Sequence, residues 1–105
     1  MLRTRKGPGD DNVASREVTI LNELGLHARP AAEFAKRARA FRSEVWLIRD
    51  GTRYSAASLI EILRANLDQG ATCTLEAKGR DADAAIERLA KLLHEFKEQE
   101  EKEKA

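Results

Sequence analysis

Apolar residues in this chain switch back and forth between a two-residue repeat and one near 3.6 residues, and the order of those switches restricts the fold more than any other feature. Val18 and Ile20 alternate with Glu17 and Thr19, which predicts a strand with one buried face, ending near Asn22. Past Gly25, Ala31, Phe34, Ala35 and Ala38 recur at helical spacing with Glu33, Lys36, Arg37 and Arg39 on the other side, predicting a helix over about 28–40. Val45 to Arg49 and Thr52 to Tyr54 read as antiparallel strands, because Asp50-Gly51 between them tolerates the positive φ values of a type I′ turn. Ser58-Leu59-Ile60-Glu61 fits a capping box and opens a short helix to about Ala65. Beyond Gly70, Cys73, Leu75 and Ala77 alternate with Thr72, Thr74 and Glu76 as a last strand, which Gly79 ends. Ala82, Ala85, Ile86, Leu89, Leu92, Leu93 and Phe96 then trace one stripe of a helix over about 81–97, with Asp81 and Asp83 favoured at its positive end.

The resulting order, β-α-β-β-α-β-α, predicts an α+β fold: a two-layer, open-faced sandwich with the helices on one face of an antiparallel sheet. Trp46 and Ile48 fall on the open face, opposite Val45 and Leu47. The folded domain spans about residues 16–96. Residues 1–15 hold Gly7-Pro8-Gly9 and show no hydrophobic period, so they read as a flexible arm. Residues 97–105 read as a charged tail that i,i+4 pairs can join to the last helix but that has no apolar face to dock.

Composition narrows the function classes. At 105 residues there is room for one domain, and a net charge of +1 from 19 basic and 18 acidic side chains supplies no global attraction to nucleic acid or anionic lipid. No apolar run approaches the roughly 20 residues that cross a bilayer, and the first residues lack a secretory signal, which predicts a cytoplasmic protein without membrane insertion. A lone cysteine, Cys73, excludes an internal disulfide and reads as a buried small hydrophobe, while His94 reads as a surface residue. Neither a phosphate-cradling glycine loop nor metal-ligand spacing is present, so no cofactor and no metal is expected.

The chemistry concentrates in Gly25-Leu26-His27-Ala28-Arg29-Pro30-Ala31, which puts a histidine and an arginine at the start of a helix. The first helical N–H groups have no intrahelical acceptor and the helix dipole is positive there, so Ala28 and Arg29 can offer backbone donors to a phosphate. Arg29 adds a planar, permanently charged fork, and Pro30 fits a first turn in which its missing N–H goes unused. An uncharged imidazole beside these donors is a nucleophile, a combination suited to reversible phosphorylation of a ring nitrogen. Residue chemistry leaves a second reading open here: an N-cap histidine whose ring only accepts a backbone hydrogen bond.

Those residues, with Ala32, closely resemble the active-site motif of the HPr family, the histidine-containing phosphocarriers of the bacterial phosphotransferase system. The resemblance continues through Phe34, Ser43-Glu44-Val45, Gly51, Ala57-Ser58-Leu59, Gln69-Gly70 and Glu76-Ala77-Lys78-Gly79. It implies strand order 1-4-2-3 with three helices on one face. It also implies that His27 takes a phosphoryl group on Nδ1 from phosphorylated enzyme I and passes it to a histidine of an enzyme IIA domain. In that cycle Arg29 and the amides of Ala28 and Arg29 hold the phosphate, and the protein is a carrier, not an enzyme in its own right.

Ser58 matches the family's regulatory serine, the target of an ATP-dependent HPr kinase/phosphorylase in many bacteria, although its capping role accounts for a serine here without regulation. The first two helices form the family's docking surface, which here combines Ala32, Lys36, Arg39, Leu59, Ile60, Leu63 and Arg64. A basic rim around an apolar centre suits fast, salt-sensitive association with acidic partners. Glu33 departs from the neutral or basic residues usual beside the active site. Two alternatives stand beside sugar uptake: a regulatory or nitrogen-related phosphotransferase branch, and an interaction adaptor whose partners read only the phosphorylation of Ser58. A carrier that must expose one face repeatedly is expected to be a monomer.

Overall fold

The alternating periods become, in chain order, β1 (Val13–Thr19), α1 (Ala28–Arg39), β2 (Ser43–Arg49), β3 (Thr52–Ser55), α2 (Leu59–Arg64), β4 (Thr72–Gly79) and α3 (Ala82–Lys104) in the computed structural model, which describes residues 12–104. The four strands form one antiparallel sheet in the order β1-β4-β2-β3, with the helices on one face, the α+β open-faced sandwich that the sequence predicts. Asp50 and Gly51 take the expected positive φ values, 51° and 81°, and so close the β2–β3 hairpin.

Register explains the layering. Val45 pairs with Ala77 and Leu47 with Leu75, so these side chains share the face that meets the helices. Phe34 of α1, Leu47 of β2, Ile62 of α2, Leu75 of β4 and Leu89 of α3 meet there with Ile20 as the largest fully buried side chains. Each such burial contributes about 1.5–3 kcal/mol, so the helices are held mainly by this shared core. Trp46 lies on the open face as predicted but is half-buried. The Arg53 guanidinium covers its ring at 4.7 Å from the centroid, and Arg53 Nη2 is 2.9 Å from Glu76 Oε2.

Both ends of the ordered structure reach further than the periodicities indicate. β1 begins at Val13, so residues 13–15, read above as part of the arm, pair with β4 through Val13↔Lys78, Ala14↔Ala77 and Ser15↔Glu76. Ladder hydrogen bonds require no apolar side chains, which is why the pattern missed this extension. The rest of the predicted arm, residues 1–11, lies outside the described residues. α3 continues to Lys104, beyond the predicted end near 97. A 2.5 Å Lys97–Glu101 ion pair supports the added turns, and Glu100 ties them to the loop after β1, a contact no apolar stripe announces.

At its other end α3 is fixed by Asp81. One carboxylate oxygen accepts from the Arg42 N–H at 2.8 Å and the other from Ser43 Oγ at 2.6 Å, tying the helix start to the start of β2. Partial burial opposes ionisation of Asp81. The hydrogen bonds from Arg42 and Ser43, its own amide and the Arg42 charge outweigh that effect and hold its carboxyl below the usual aspartate value. Cys73 is buried, and that burial pushes its thiol up to about 11 against the opposing Arg49 charge, so it is a poor thiolate donor.

Candidate functional site

The loop between β1 and α1 is set by Asn22, the buried polar side chain at 3% exposure. Asn22 Nδ2 donates to the Gly25 carbonyl at 2.7 Å, and the Asn22 carbonyl accepts from the Gly25 N–H at 3.1 Å. Gly25 itself sits at φ 68°, and a Cβ there would lie 2.6 Å from the Leu67 carbonyl oxygen. The same carbonyl accepts from the Leu26 N–H at 2.9 Å. The chain therefore enters α1 at one fixed angle, held against the segment after α2.

His27 is the N-cap of α1, with φ −80° and ψ −172°, and its side chain makes no capping hydrogen bond. Its carbonyl accepts from the Ala31 N–H at 2.9 Å and starts the helix, while the exposed ring stays available. That geometry separates the two readings left open by residue chemistry: the imidazole is not spent on the helix terminus. Ala28 and Arg29 follow as the first helical residues, both exposed, with amides that have no intrahelical acceptor. Pro30 has no N–H to leave unpaired, and no acidic side chain occupies the first turn to neutralise its positive end. An exposed imidazole, an exposed arginine and open backbone donors thus stand together at the start of one helix.

Ser58 is the N-cap of α2, and its Oγ accepts from the Glu61 N–H at 3.3 Å. The predicted capping box is only half realised. Glu61 Oε1 accepts from the Ser55 N–H at 2.9 Å instead of the Ser58 N–H, which donates to the Ser55 carbonyl at 3.3 Å. The turn before α2 already satisfies the cap's own amide, so the glutamate reaches one turn further back.

Among the residues expected to form a docking surface, Ala32, Lys36, Arg39, Ile60, Leu63 and Arg64 are exposed and Leu59 is half-buried. α1 packs on α2, and Ile60 is 65% and Leu63 38% exposed on the latter. Ile62 takes the core position of α2 and Leu59 packs against the core's edge, so Ile60 and Leu63 are left facing outward. Arg39 Nη1 donates to the Ala57 carbonyl at 2.9 Å and ties the end of α1 to the turn before α2. Arg49 closes the far end of α2, donating to the carbonyls of Ala65, at 3.0 Å, and Asn66. Glu33, the departure from the family pattern, is paired at 2.8 Å with Arg37 on the same face of α1.

Sequence reasoning missed two residues that shape the site. Asn22 three positions before a glycine is a turn signal that local chemistry makes readable. Glu100 offers no local signal. Its two carboxylate oxygens accept from the Glu23 N–H at 2.5 Å and the Leu24 N–H at 3.0 Å. The last turns of α3 thereby stand beside α1 across a cleft of about 690 Å³ lined by His27, Arg29, Glu33, Phe96, Gln99 and Glu103, among others. Among the described residues no cluster of His, Cys, Asp and Glu side chains is suited to a metal ion, and no helix is long and apolar enough to cross a membrane.

Comparison with known proteins finds relatives over most of the chain. The profile of the family described as "PTS HPr component phosphorylation site" matches residues 14–95. Phosphocarrier protein NPr of Shewanella violacea is 42% identical over 78 residues, covering 74% of this chain and 86% of that protein. Phosphocarrier protein HPr of Haemophilus influenzae is 42% identical over 79 residues, covering 75% and 93%. A crystal structure of HPr from Thermoanaerobacter tengcongensis superposes with a TM-score of 0.75 at 36% identity, over 77% of this chain and 91% of that one.

Proposed function

The chain belongs to the HPr family of phosphotransferase-system phosphocarriers, and on that premise we propose that His27 carries the phosphoryl group between two protein partners. The observation that carries this reading is the exposed N-cap imidazole left free of capping duty beside Arg29 and the open amides of α1. In the proposed cycle His27 Nδ1 attacks the phosphorus of a phosphohistidine on enzyme I, forming an N–P bond as the donor's N–P bond breaks. The donor ring, protonated on its other nitrogen, leaves as neutral imidazole, and the phosphorylated His27 ring keeps its Nε2 proton. Arg29 and the Ala28 and Arg29 amides bind the phosphoryl oxygens, which hold the most charge as transfer proceeds. A histidine of an enzyme IIA domain then repeats the attack in the opposite role. Both partners dock on the patch around Ile60 and Leu63, whose rim carries Lys36, Arg39 and Arg64. The exchange takes place in the cytoplasm.

Incubation with phosphoenolpyruvate and the cognate enzyme I should give an acid-labile phosphohistidine signal by phosphorus NMR. His27→Ala should remove it while leaving the circular dichroism spectrum unchanged, and labelling that persists in the variant would refute the assignment.

Equal identity to an NPr and an HPr supports a second reading of the output, in which the relay serves a nitrogen-related branch and not sugar uptake. Transfer rates to a sugar-type and a nitrogen-type enzyme IIA, measured side by side, distinguish them. Ser58 is the candidate regulatory position. Its hydroxyl is half-buried and engaged with the Glu61 N–H, so a kinase must first detach it from the cap. An ATP-dependent kinase assay on the wild type and Ser58→Ala tests this site.

A further inference from the structure

We infer that Glu100, on the last turns of α3, is a positioning residue for phosphoryl transfer through His27, an inference that rests on the carrier reading above. Its carboxylate is the acceptor for two successive backbone N–H groups, those of Glu23 and Leu24, at 2.5 and 3.0 Å. Those amides lie on the exposed side of the turn whose buried side is held by Asn22 and by the Leu67 carbonyl. The turn is therefore gripped from both sides, and His27 follows it by three residues. Backbone N–H groups donating to a carboxylate make stronger bonds than neutral pairs, so this strap limits the orientations that the N-cap residue samples.

Glu100 also lies outside the segment that the family profile matches, residues 14–95, so the strap belongs to the extension of α3 and not to the common fold. The extension has its own support in the 2.5 Å Lys97–Glu101 pair. Without the strap the turn would exchange among conformers, and only the fraction with His27 correctly aimed would react. Partner docking should be spared, because the cleft beside Glu100 is lined by Glu33 and Arg37 of α1 and not by Ala32, Lys36 or Arg39.

The experiment is steady-state phosphorylation of the full chain by phosphoenolpyruvate and cognate enzyme I, with this protein as the varied substrate, alongside amide exchange at Glu23 and Leu24. Glu100→Ala should lower kcat about three- to tenfold with KM within twofold of wild type, and speed exchange at both amides. Glu100→Gln keeps one acceptor oxygen and should recover part of the loss. Glu101→Ala removes an exposed i,i+4 pair, a minor support of the extension, and should leave kcat within about twofold of wild type. Wild-type kcat in Glu100→Ala, a loss confined to KM, or an equal loss in Glu101→Ala would each overturn the inference. Absence of phosphohistidine in the wild type would overturn the carrier reading itself, whereas normal labelling with no Glu100 effect would overturn this inference alone.

Discussion

Two helices that pack on one another in this molecule begin in opposite ways. α2 starts with Ser58, whose hydroxyl accepts from the Glu61 N–H, and the Glu61 carboxylate in turn accepts from the Ser55 N–H. α1 starts with His27, whose side chain caps nothing, in a first turn without an acidic residue. One terminus satisfies a donor of its own first turn with its cap and the other does not. An uncapped start is less stable by about 1 kcal/mol, so open donors are expected where an anion is to be received. Rigidity at α1 comes from elsewhere: Asn22, the positive-φ Gly25, the Leu67 carbonyl and the distant Glu100. The general lesson is that a helix terminus can be held by its own cap or by the loop that delivers it, and only the second leaves its donors free.

Breaking the loop that holds α1 should have the largest effect. Gly25→Ala places a side chain at φ 68° against the Leu67 carbonyl oxygen, and should cost roughly 2–4 kcal/mol in urea unfolding with a matching fall in the rate of His27 phosphorylation. An unchanged unfolding midpoint would show that the loop is not the rigid element.

Exchanging the roles of the two caps sharpens the contrast. Ser58→Ala should lose about 1 kcal/mol of stability while His27 phosphorylation continues. His27→Ser should do the reverse, gaining about 0.5–1 kcal/mol as the new hydroxyl caps α1, with phosphoryl acceptance abolished. Thermal unfolding of the two variants beside wild type checks both signs, and a destabilised His27→Ser would mean that the first turn of α1 is not short of a cap.

The smallest effect is expected at the third helix start, where Asp81 provides a charged counterpart to Ser58. Its carboxyl is held below the usual value, so its ionised form is favoured in the folded protein. The stability this contributes is present above the unfolded aspartate pKa, about 3.9, and is lost as pH falls through the lower folded value. Urea midpoints measured between neutral pH and about pH 2 should therefore drop less steeply at the acid end for Asp81→Asn than for wild type.

How much of this could be read in advance differs from residue to residue. The buried stripe of α3 and the alternation of Cys73, Leu75 and Ala77 are periods, properties of a short window that name the face a segment will bury. Asp50-Gly51 was equally legible, since a positive φ is a local demand. The open donors at His27-Ala28-Arg29-Pro30 were legible because a helix start carries its donors and dipole wherever the helix lies. The strand order rested on family resemblance, since no period states which strands become neighbours.

By itself, then, the sequence determined the elements, their inward faces and the position of His27 at a helix start, because each depends on residues within a few turns of one another. Only the tertiary structure decided that His27 keeps its ring free, that Glu61 reaches Ser55 and that α3 runs on to strap the loop after β1. Glu100 and the Glu23 amide are 77 positions apart. A hydrogen bond between such groups exists only once the sheet and core have fixed where both segments end, and no local pattern encodes that distance.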